Sequence, residues 1–103
     1  MNMENAVEIV EQADRVIAAT YKRLPVVLIR GDGYTVWDVE GKAYTDFIAG
    51  IAVCNLGHAH PAVADAVAEQ AHRLVHVSNL FYTIPPVEVA RMLVDHSFAD
   101  RVF

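Results

Sequence analysis

Cysteine is nearly absent from the 103-residue sequence, and basic residues are few. The single thiol, Cys54, excludes an internal disulfide and any metal site built from several cysteines. Eight Lys and Arg against 13 Asp and Glu give a formal net charge of −5. Nucleic acids and anionic membranes are bound through basic patches, so this balance argues against both kinds of partner.

Long hydrophobic runs are also missing. No apolar stretch approaches the ~18 residues that a membrane-spanning helix needs. The N-terminal stretch MNMENAVEIVEQ is acidic and lacks the basic start of a secretory signal. These absences predict a soluble cytoplasmic protein.

Apolar residues, in contrast, are in excess. They make up 54% of the chain, and its mean hydropathy is +0.26. The length suits one domain, and a domain this small buries only about two thirds of the surface of its unfolded chain. The composition therefore predicts an apolar face that the chain itself leaves exposed.

The apolar pattern predicts an α+β chain that begins with an amphipathic helix over 5–20. Asn5 is the expected N-cap, and acidic residues near the start suit the helix dipole. Three β-rich runs follow and predict a small antiparallel meander. They lie at 26–30, 34–38 and 44–47.

The glycines between the first two runs predict a turn at 31–33 rather than a dinucleotide-binding motif. That motif would need a third glycine where Val36 stands, and a helix instead of a strand after it.

The second half of the chain predicts one loop and two helices. Residues 48–60 are apolar without clear periodicity, which indicates a buried or lining loop. A helix opened by a proline is expected over 61–76, and Thr83 is a candidate N-cap for another over 84–96. Residues 100–103 are interpreted as the start of a further strand.

Five histidines raise the hypothesis of a small metal-binding protein. His72 and His76 have i, i+4 spacing, although the glutamate of a zinc peptidase motif is missing between them. His58 and His60 together with Cys54 could supply three ligands. The alternative is that His58 bonds loop backbone and that His60 begins a helix.

Residue chemistry alone completes no active site. Cys54, in an apolar loop, is expected to be a small buried hydrophobe rather than a reactive thiolate. A Schiff-base lysine needs a desolvated pocket. Lys22 and Lys42, the only lysines, lie at a helix end and in a turn, where both are expected to be exposed.

A long motif supplies what residue chemistry does not. The stretch 33–61, GYTVWDVEGKAYTDFIAGIAVCNLGHAHP, resembles the N-terminal region of class III pyridoxal-phosphate aminotransferases. SNLFY at 78–82 is similar to the next segment of that family, and DRVF at 100–103 to the strand beyond. The likeness is strongest to acetylornithine-type members. It implies part of a fold type I enzyme that uses pyridoxal 5'-phosphate to move an amino group between an N-acyl diamino acid and 2-oxoglutarate.

The resemblance also implies what this chain would lack. In the family, the turn that cradles the cofactor phosphate, the Asp beside the pyridine nitrogen, the Schiff-base Lys and a substrate-binding Arg come after the matched region. We therefore expect a chain that is not catalytic and binds no cofactor by itself. Its expected partners are the remainder of the enzyme, a second copy in a homodimer, and a small amino acid substrate.

Three parts are expected along the chain. They are the N-terminal helix at 1–24, the meander with its pocket loop at 25–60, and a helical segment at 61–103. A non-catalytic interaction or dimerisation module, or a histidine-based metal-binding protein, is the alternative to the aminotransferase segment.

The resemblance implies substrate contacts in the first two parts. Tyr21 matches a family tyrosine near the α-carboxylate or amino group of the substrate, which a phenol can hydrogen-bond. Ile51, Ala52 and Val53 match the loop that lines the path of the substrate's side chain.

Further contacts are implied in the third part. Asn79, Phe81 and Tyr82 match a loop that lies at the dimer interface in relatives and reaches toward the partner's active site. No residue of the chain is assigned a catalytic, cofactor-binding or metal-binding role.

Overall fold

A computed structural model of the protein describes residues 5–103. They fall into two compact units, one ending at Ala68 and the other running from Glu69 to Phe103. In chain order the elements are α1 (Ala6–Val16), β1 (Leu28–Asp32), β2 (Thr35–Asp38), β3 (Ala43–Thr45), α2 (Ala49–Ala52), α3 (Pro61–Arg73) and α4 (Ile84–Asp95). The α+β class is confirmed, whereas the three expected parts of the chain stay a prediction.

Helix α1 begins as predicted and ends early. The side chain of Asn5 caps it, accepting the N–H of Glu8 at 3.0 Å. The helix stops at Val16 instead of continuing to 20. The N–H of Thr20 donates to the carbonyl of Ala18 at 2.8 Å, and this local turn replaces the helical hydrogen bond.

The predicted antiparallel meander is confirmed as a three-stranded sheet in the order β1-β2-β3. The expected turn at 31–33 is wrong, because Asp32 still pairs with Thr35 of β2. Only Gly33 and Tyr34 connect the two strands. β1 accordingly lies later in the chain than the sequence pattern predicted.

The buried core of the described residues is very small. Val36 and Asp38 of β2 are 7% and 4% exposed, and they share one face of the strand because side chains alternate along it. On the other face, the guanidinium of Arg30 lies 3.9 Å from the ring centroid of Trp37. A cation so close to an indole face is attracted to it, which ties β1 to β2.

Asp38 is buried with its hydrogen bonds satisfied. Its carboxylate accepts the N–H of Lys42 at 2.8 Å and the hydroxyl of Tyr44 at 2.6 Å, which closes the turn between β2 and β3. The hydrogen bond from Tyr44 holds the pKa of Asp38 below its usual value, and the same bond raises the pKa of Tyr44.

The loop after β3 returns to the first hairpin. Gly33 and His58 exchange two backbone hydrogen bonds, of 3.0 and 2.8 Å. The neighbouring Gly57 has a φ of +88°, and a Cβ added there would lie 2.9 Å from Cα of Gly33. The backbones approach closely at this point because position 57 has no side chain.

Helix α3 ends at Arg73 rather than at the predicted His76. The side-chain amide of Gln70 donates to the carbonyl of Leu74 at 2.9 Å and so satisfies a carbonyl at the helix end. Helix α4 has nearly the predicted bounds. Thr83 occupies its N-cap position, but its side chain makes no capping hydrogen bond.

The predicted strand at 100–103 is wrong. These residues are exposed and irregular, and within residues 5–103 no strand lies beside them. A strand requires a neighbour to complete its ladder of hydrogen bonds, so the apolar pattern alone does not form one.

The predicted exposure of apolar surface is confirmed. Helices α1, α3 and α4 carry no buried residue. Among the exposed apolar side chains are Phe47 and Leu80, at 94% and 85%. Among the helices of the described residues, none is long and apolar enough to cross a membrane.

The close approach at Gly57 predicts the effect of an added methyl group. Gly57→Ala should lower the free energy of unfolding by about 2–5 kcal/mol, from backbone strain plus overpacking against Gly33. Gly41 is the matched control, because its φ is +83° and the space around it is open. Gly41→Ala should cost only the strain, about 1–2 kcal/mol. Urea unfolding followed by Trp37 fluorescence measures both, and equal losses would contradict the close approach.

The Asp38–Tyr44 hydrogen bond predicts that the stability of the fold depends on pH and falls at both low and high pH. Because the pKa of Asp38 is lowered from 3.8, its stabilisation is present above about pH 4 and is lost as the pH falls through the lowered value. Because the pKa of Tyr44 is raised from 10.0, its stabilisation is present below about pH 10 and is lost as the pH rises through the raised value.

Tyr44→Phe should therefore unfold more easily than wild type at neutral pH, and the difference should shrink at both extremes. The control is Tyr34→Phe, which removes an exposed phenol from the same sheet. Unfolding midpoints between pH 2 and pH 11 test this. A difference that stays constant over that range would show that the bond to Asp38 does not carry the effect.

Candidate functional site

Asp46 organises the segment that follows β3. Its N–H donates to the carbonyl of Tyr34 at 2.8 Å, and its Oδ1 accepts the N–H groups of Ile48 and Ala49, both at 2.9 Å. Its Oδ2 lies 2.6 Å from Nε2 of His58. This turn ends β3 at Thr45, so the predicted extension of the strand to 47 is wrong.

The Asp46–His58 pair is partly buried, with 15% and 26% of the two side chains exposed. The imidazole hydrogen bond is the main cause that lowers the pKa of Asp46, and the backbone N–H groups of Ala49 and Ile48 add to it. Asp46 is therefore an ionised acceptor above its lowered pKa. It joins the hairpin, the turn after β3 and the end of the following loop.

Helix α2 is a left-handed turn rather than an ordinary helix. φ is +49° at Ala49, +64° at Gly50, +61° at Ile51 and +60° at Ala52. Each residue with a side chain costs about 1–2 kcal/mol in this region, and a β-branched residue is a true outlier there. Such backbone strain persists only where surrounding contacts require it.

The left-handed turn exposes Ile51, Ala52 and Val53, which the family resemblance places along the path of the substrate's side chain. Ile51 is 87% and Val53 77% exposed, and Ala52 lies between them. The structure thus brings the three residues together on one turn. Of the two expected alternatives, a buried loop or a lining loop, the buried loop is wrong, because nothing within the described residues covers these side chains.

A cavity of about 310 Å³ lies beside the turn, and its lining includes Asp46, Cys54, Asn55 and His58. Cys54 is half-buried, so the prediction of a buried thiol is only partly right. The expected bond between His58 and the loop backbone is wrong for the ring, because Nε2 bonds the carboxylate of Asp46. The prediction for His60 is confirmed, since α3 begins directly after it.

The described residues do not gather a metal site. Within residues 5–103, no three His, Cys, Asp or Glu side chains lie close enough together to hold a metal ion. The spacing of His72 and His76 is not helical in the structure, because α3 ends at Arg73.

The other compact unit contains a second cavity, of about 640 Å³. Asn79, Phe81 and Tyr82 line it, so the structure brings these three predicted residues together. Leu74 and Pro85 supply further apolar lining. The ring of Tyr82 is fully exposed.

Tyr21 lies in the irregular segment between α1 and β1. Its side chain is 77% exposed, and the guanidinium of Arg23 lies 5.9 Å from the ring centroid. The phenol is free to approach a small molecule, and the neighbouring cation favours an anionic group beside it.

Sequence reasoning missed Asp46, although a signal for it was present. An Asp directly ahead of a glycine-containing loop is typical of a turn in which the carboxylate accepts the next backbone N–H groups. The partnership with His58 leaves no such local signal, because the two residues are 12 positions apart.

Comparisons with known proteins agree on one family. Residues 16–103 match the family model "Aminotransferase class-III". The chain is 54% identical over 90 residues to the acetylornithine aminotransferase of Synechocystis sp., covering 87% of this chain and 21% of that protein. It is 57% identical over 96 residues to the mitochondrial acetylornithine aminotransferase of Alnus glutinosa, covering 93% and 21%.

Solved structures show the same relationship. The acetylornithine aminotransferase from Elizabethkingia anophelis gives a TM-score of 0.89 at 37% identity, over 96% of this chain and 26% of that one. The ornithine aminotransferase from Toxoplasma gondii gives 0.89 at 29% identity, over 97% and 24%.

The chain spans about a fifth of the length of the curated relatives it matches. Its helices and three-stranded antiparallel sheet correspond to part of the fold type I structure of these enzymes. From the family match over residues 16–103 and the shared architecture, it follows that the chain belongs to the class III aminotransferase family.

Proposed function

We propose that these residues form the N-terminal part of a pyridoxal-phosphate-dependent aminotransferase. The reaction moves an amino group between an N-acyl diamino acid of the acetylornithine type and 2-oxoglutarate. The observation that carries the proposal is the identity of 54% to the Synechocystis enzyme over 90 residues. The family implies the cofactor, which supplies the electron sink for the reaction when it is bound.

In this proposal, the described residues supply only part of the cofactor site. A Schiff-base lysine requires a desolvated pocket. Lys22 and Lys42 are both exposed, and the ammonium of Lys42 lies 4.9 Å from the ring centroid of Tyr44. We therefore assign the covalent chemistry to residues outside this chain and the shaping of the substrate pocket to residues within it.

In this proposal, Tyr21 holds the charged end of the amino donor. Its exposed phenol donates a hydrogen bond to the α-carboxylate, and Arg23 adds positive charge nearby. The exposed side chains of Ile51, Ala52 and Val53 contact the apolar part of the donor and keep water away from it.

Asn79, Phe81 and Tyr82 take the role of an interface loop in the proposed homodimer. Phe81 is 67% exposed and Tyr82 fully exposed, and aromatic residues are enriched where protein surfaces meet. The proposed partners of the chain are thus the remainder of the enzyme, the second subunit and the small amino acid substrate.

A hybrid enzyme tests the proposed function. Residues 16–103 replace the matching segment of the Synechocystis acetylornithine aminotransferase, and transamination of acetylornithine is measured. Because over half of the replaced residues are identical, we expect kcat/KM within about tenfold of the parent enzyme, a loss of at most ~1.4 kcal/mol. The control is the same enzyme without the segment, which should be inactive.

A hybrid that folds and binds the cofactor but does not turn over would contradict the proposal. A hybrid that prefers another amino donor would contradict the substrate class alone. Metal analysis and sedimentation of the 103-residue chain test the other two candidates, a metal-binding protein and a separate interaction module.

The role of Tyr21 gives a further prediction in the hybrid. Tyr21→Phe should raise KM for the amino donor about 10- to 100-fold, because a hydrogen bond to a charged group contributes about 1.5–3 kcal/mol. Tyr34→Phe removes another exposed phenol and should leave KM unchanged. Steady-state kinetics with varied donor measures both, and equal KM values for the two variants would exclude Tyr21 from donor binding.

A further inference from the structure

The left-handed turn at 49–52 cannot be explained by the preferences of its own residues. Four consecutive residues have positive φ, and Ile51 is β-branched. Side chains disfavour this conformation, so an isolated segment of this sequence would leave it. The turn therefore depends on contacts made outside it.

Those contacts converge on Asp46. Its Oδ1 accepts the N–H groups of Ile48 and Ala49, which fixes the entry to the turn. Its Oδ2 is held by Nε2 of His58 at 2.6 Å, so the carboxylate cannot rotate without breaking that bond. A carboxylate with both oxygens bonded orients its partners more strictly than one with a single bond.

His58 is in turn anchored from two sides. Its backbone exchanges two hydrogen bonds with Gly33 of the first hairpin. Its side chain fills space that Gly31 leaves open, because a Cβ at position 31 would lie 2.6 Å from Cβ and Cγ of His58. The hairpin thus sets the position of the ring, and the ring sets the position of the Asp46 carboxylate.

The exit of the turn depends on the same arrangement. The N–H groups of Val53 and Cys54 both donate to the carbonyl of Ala49, at 2.8 and 2.9 Å. Ala49 is the residue whose N–H is bound by Asp46. A loss of the carboxylate's orientation should therefore loosen both ends of the turn together.

We infer that Asp46 and His58 are positioning residues, whose side-chain pair holds the strained turn and so fixes how Ile51 and Val53 face the amino donor. The identity of the amino donor in this inference rests on the proposed function. The role of the Asp46–His58 pair in holding the turn rests on the geometry alone. In this inference, each residue acts on the donor through the turn and not through contact with it.

The first test measures hydrogen exchange of the 103-residue chain. His58→Phe keeps a ring but removes the nitrogen bonded to Asp46, and the amides of Val53 and Cys54 should exchange about tenfold faster or more. His58→Gln restores an N–H donor and should recover part of the protection. The matched control is Tyr44→Phe, which removes a hydrogen bond of the same 2.6 Å length from Asp38. Because it lowers only the overall stability, it should speed exchange of these two amides no more than it speeds exchange of the β2 and β3 amides.

The second test measures kinetics in the hybrid enzyme. His58→Phe should raise KM for the amino donor about tenfold and leave kcat within about threefold, because the turn contributes to binding rather than to bond breaking. Asp46→Asn should shift KM in the same direction if His58→Phe does not fold. Tyr44→Phe should leave KM unchanged.

Three outcomes would overturn the inference. They are an unprotected Val53 and Cys54 in the wild-type chain, equal acceleration in His58→Phe and Tyr44→Phe, and equal donor KM values for those two variants. An inactive wild-type hybrid would instead overturn the proposed function. The exchange measurements would still decide whether the pair holds the turn.

Discussion

The attachment of His58 to the first hairpin is the constraint on which the rest of the first unit depends. Two backbone hydrogen bonds to Gly33 and one side-chain bond to Asp46 place the loop after β3 against the sheet. Without this attachment, the described residues would offer little to hold a strained turn, since their buried core consists of Val36 and Asp38. In this unit, polar contacts and the close backbone approach at Gly57 hold the loop to the sheet, whereas apolar packing does so in most small domains.

The parts of the fold that were predicted correctly are those with local causes. Helical periodicity, an Asn cap and prolines in a first turn all act within a few residues, so α1, α3 and α4 and the meander followed from the sequence. The errors arose where distant residues decide the conformation. The end of β1 is set by pairing across the hairpin, and the strand expected at 100–103 lacks a neighbour among the described residues.

In the candidate site, too, the features with distant causes could not be predicted from the sequence. The motif resemblance predicts substrate and interface contacts for Ile51 and Tyr82, and it says nothing of their conformation. It could not indicate the left-handed turn, because Ala and Ile disfavour positive φ and propensity argues for the opposite. Nor could it indicate the Asp46–His58 pair, whose members are 12 positions apart, at the two ends of the loop that they stabilise.

The exposed surface has a thermodynamic consequence. Helices α1, α3 and α4 carry no buried residue, so unfolding newly hydrates little of their apolar surface. The heat capacity change of unfolding grows with the apolar area that becomes hydrated. We therefore expect a small heat capacity change for this chain and a shallow curve of stability against temperature. Covering the apolar helix faces would increase that change and sharpen the melting transition.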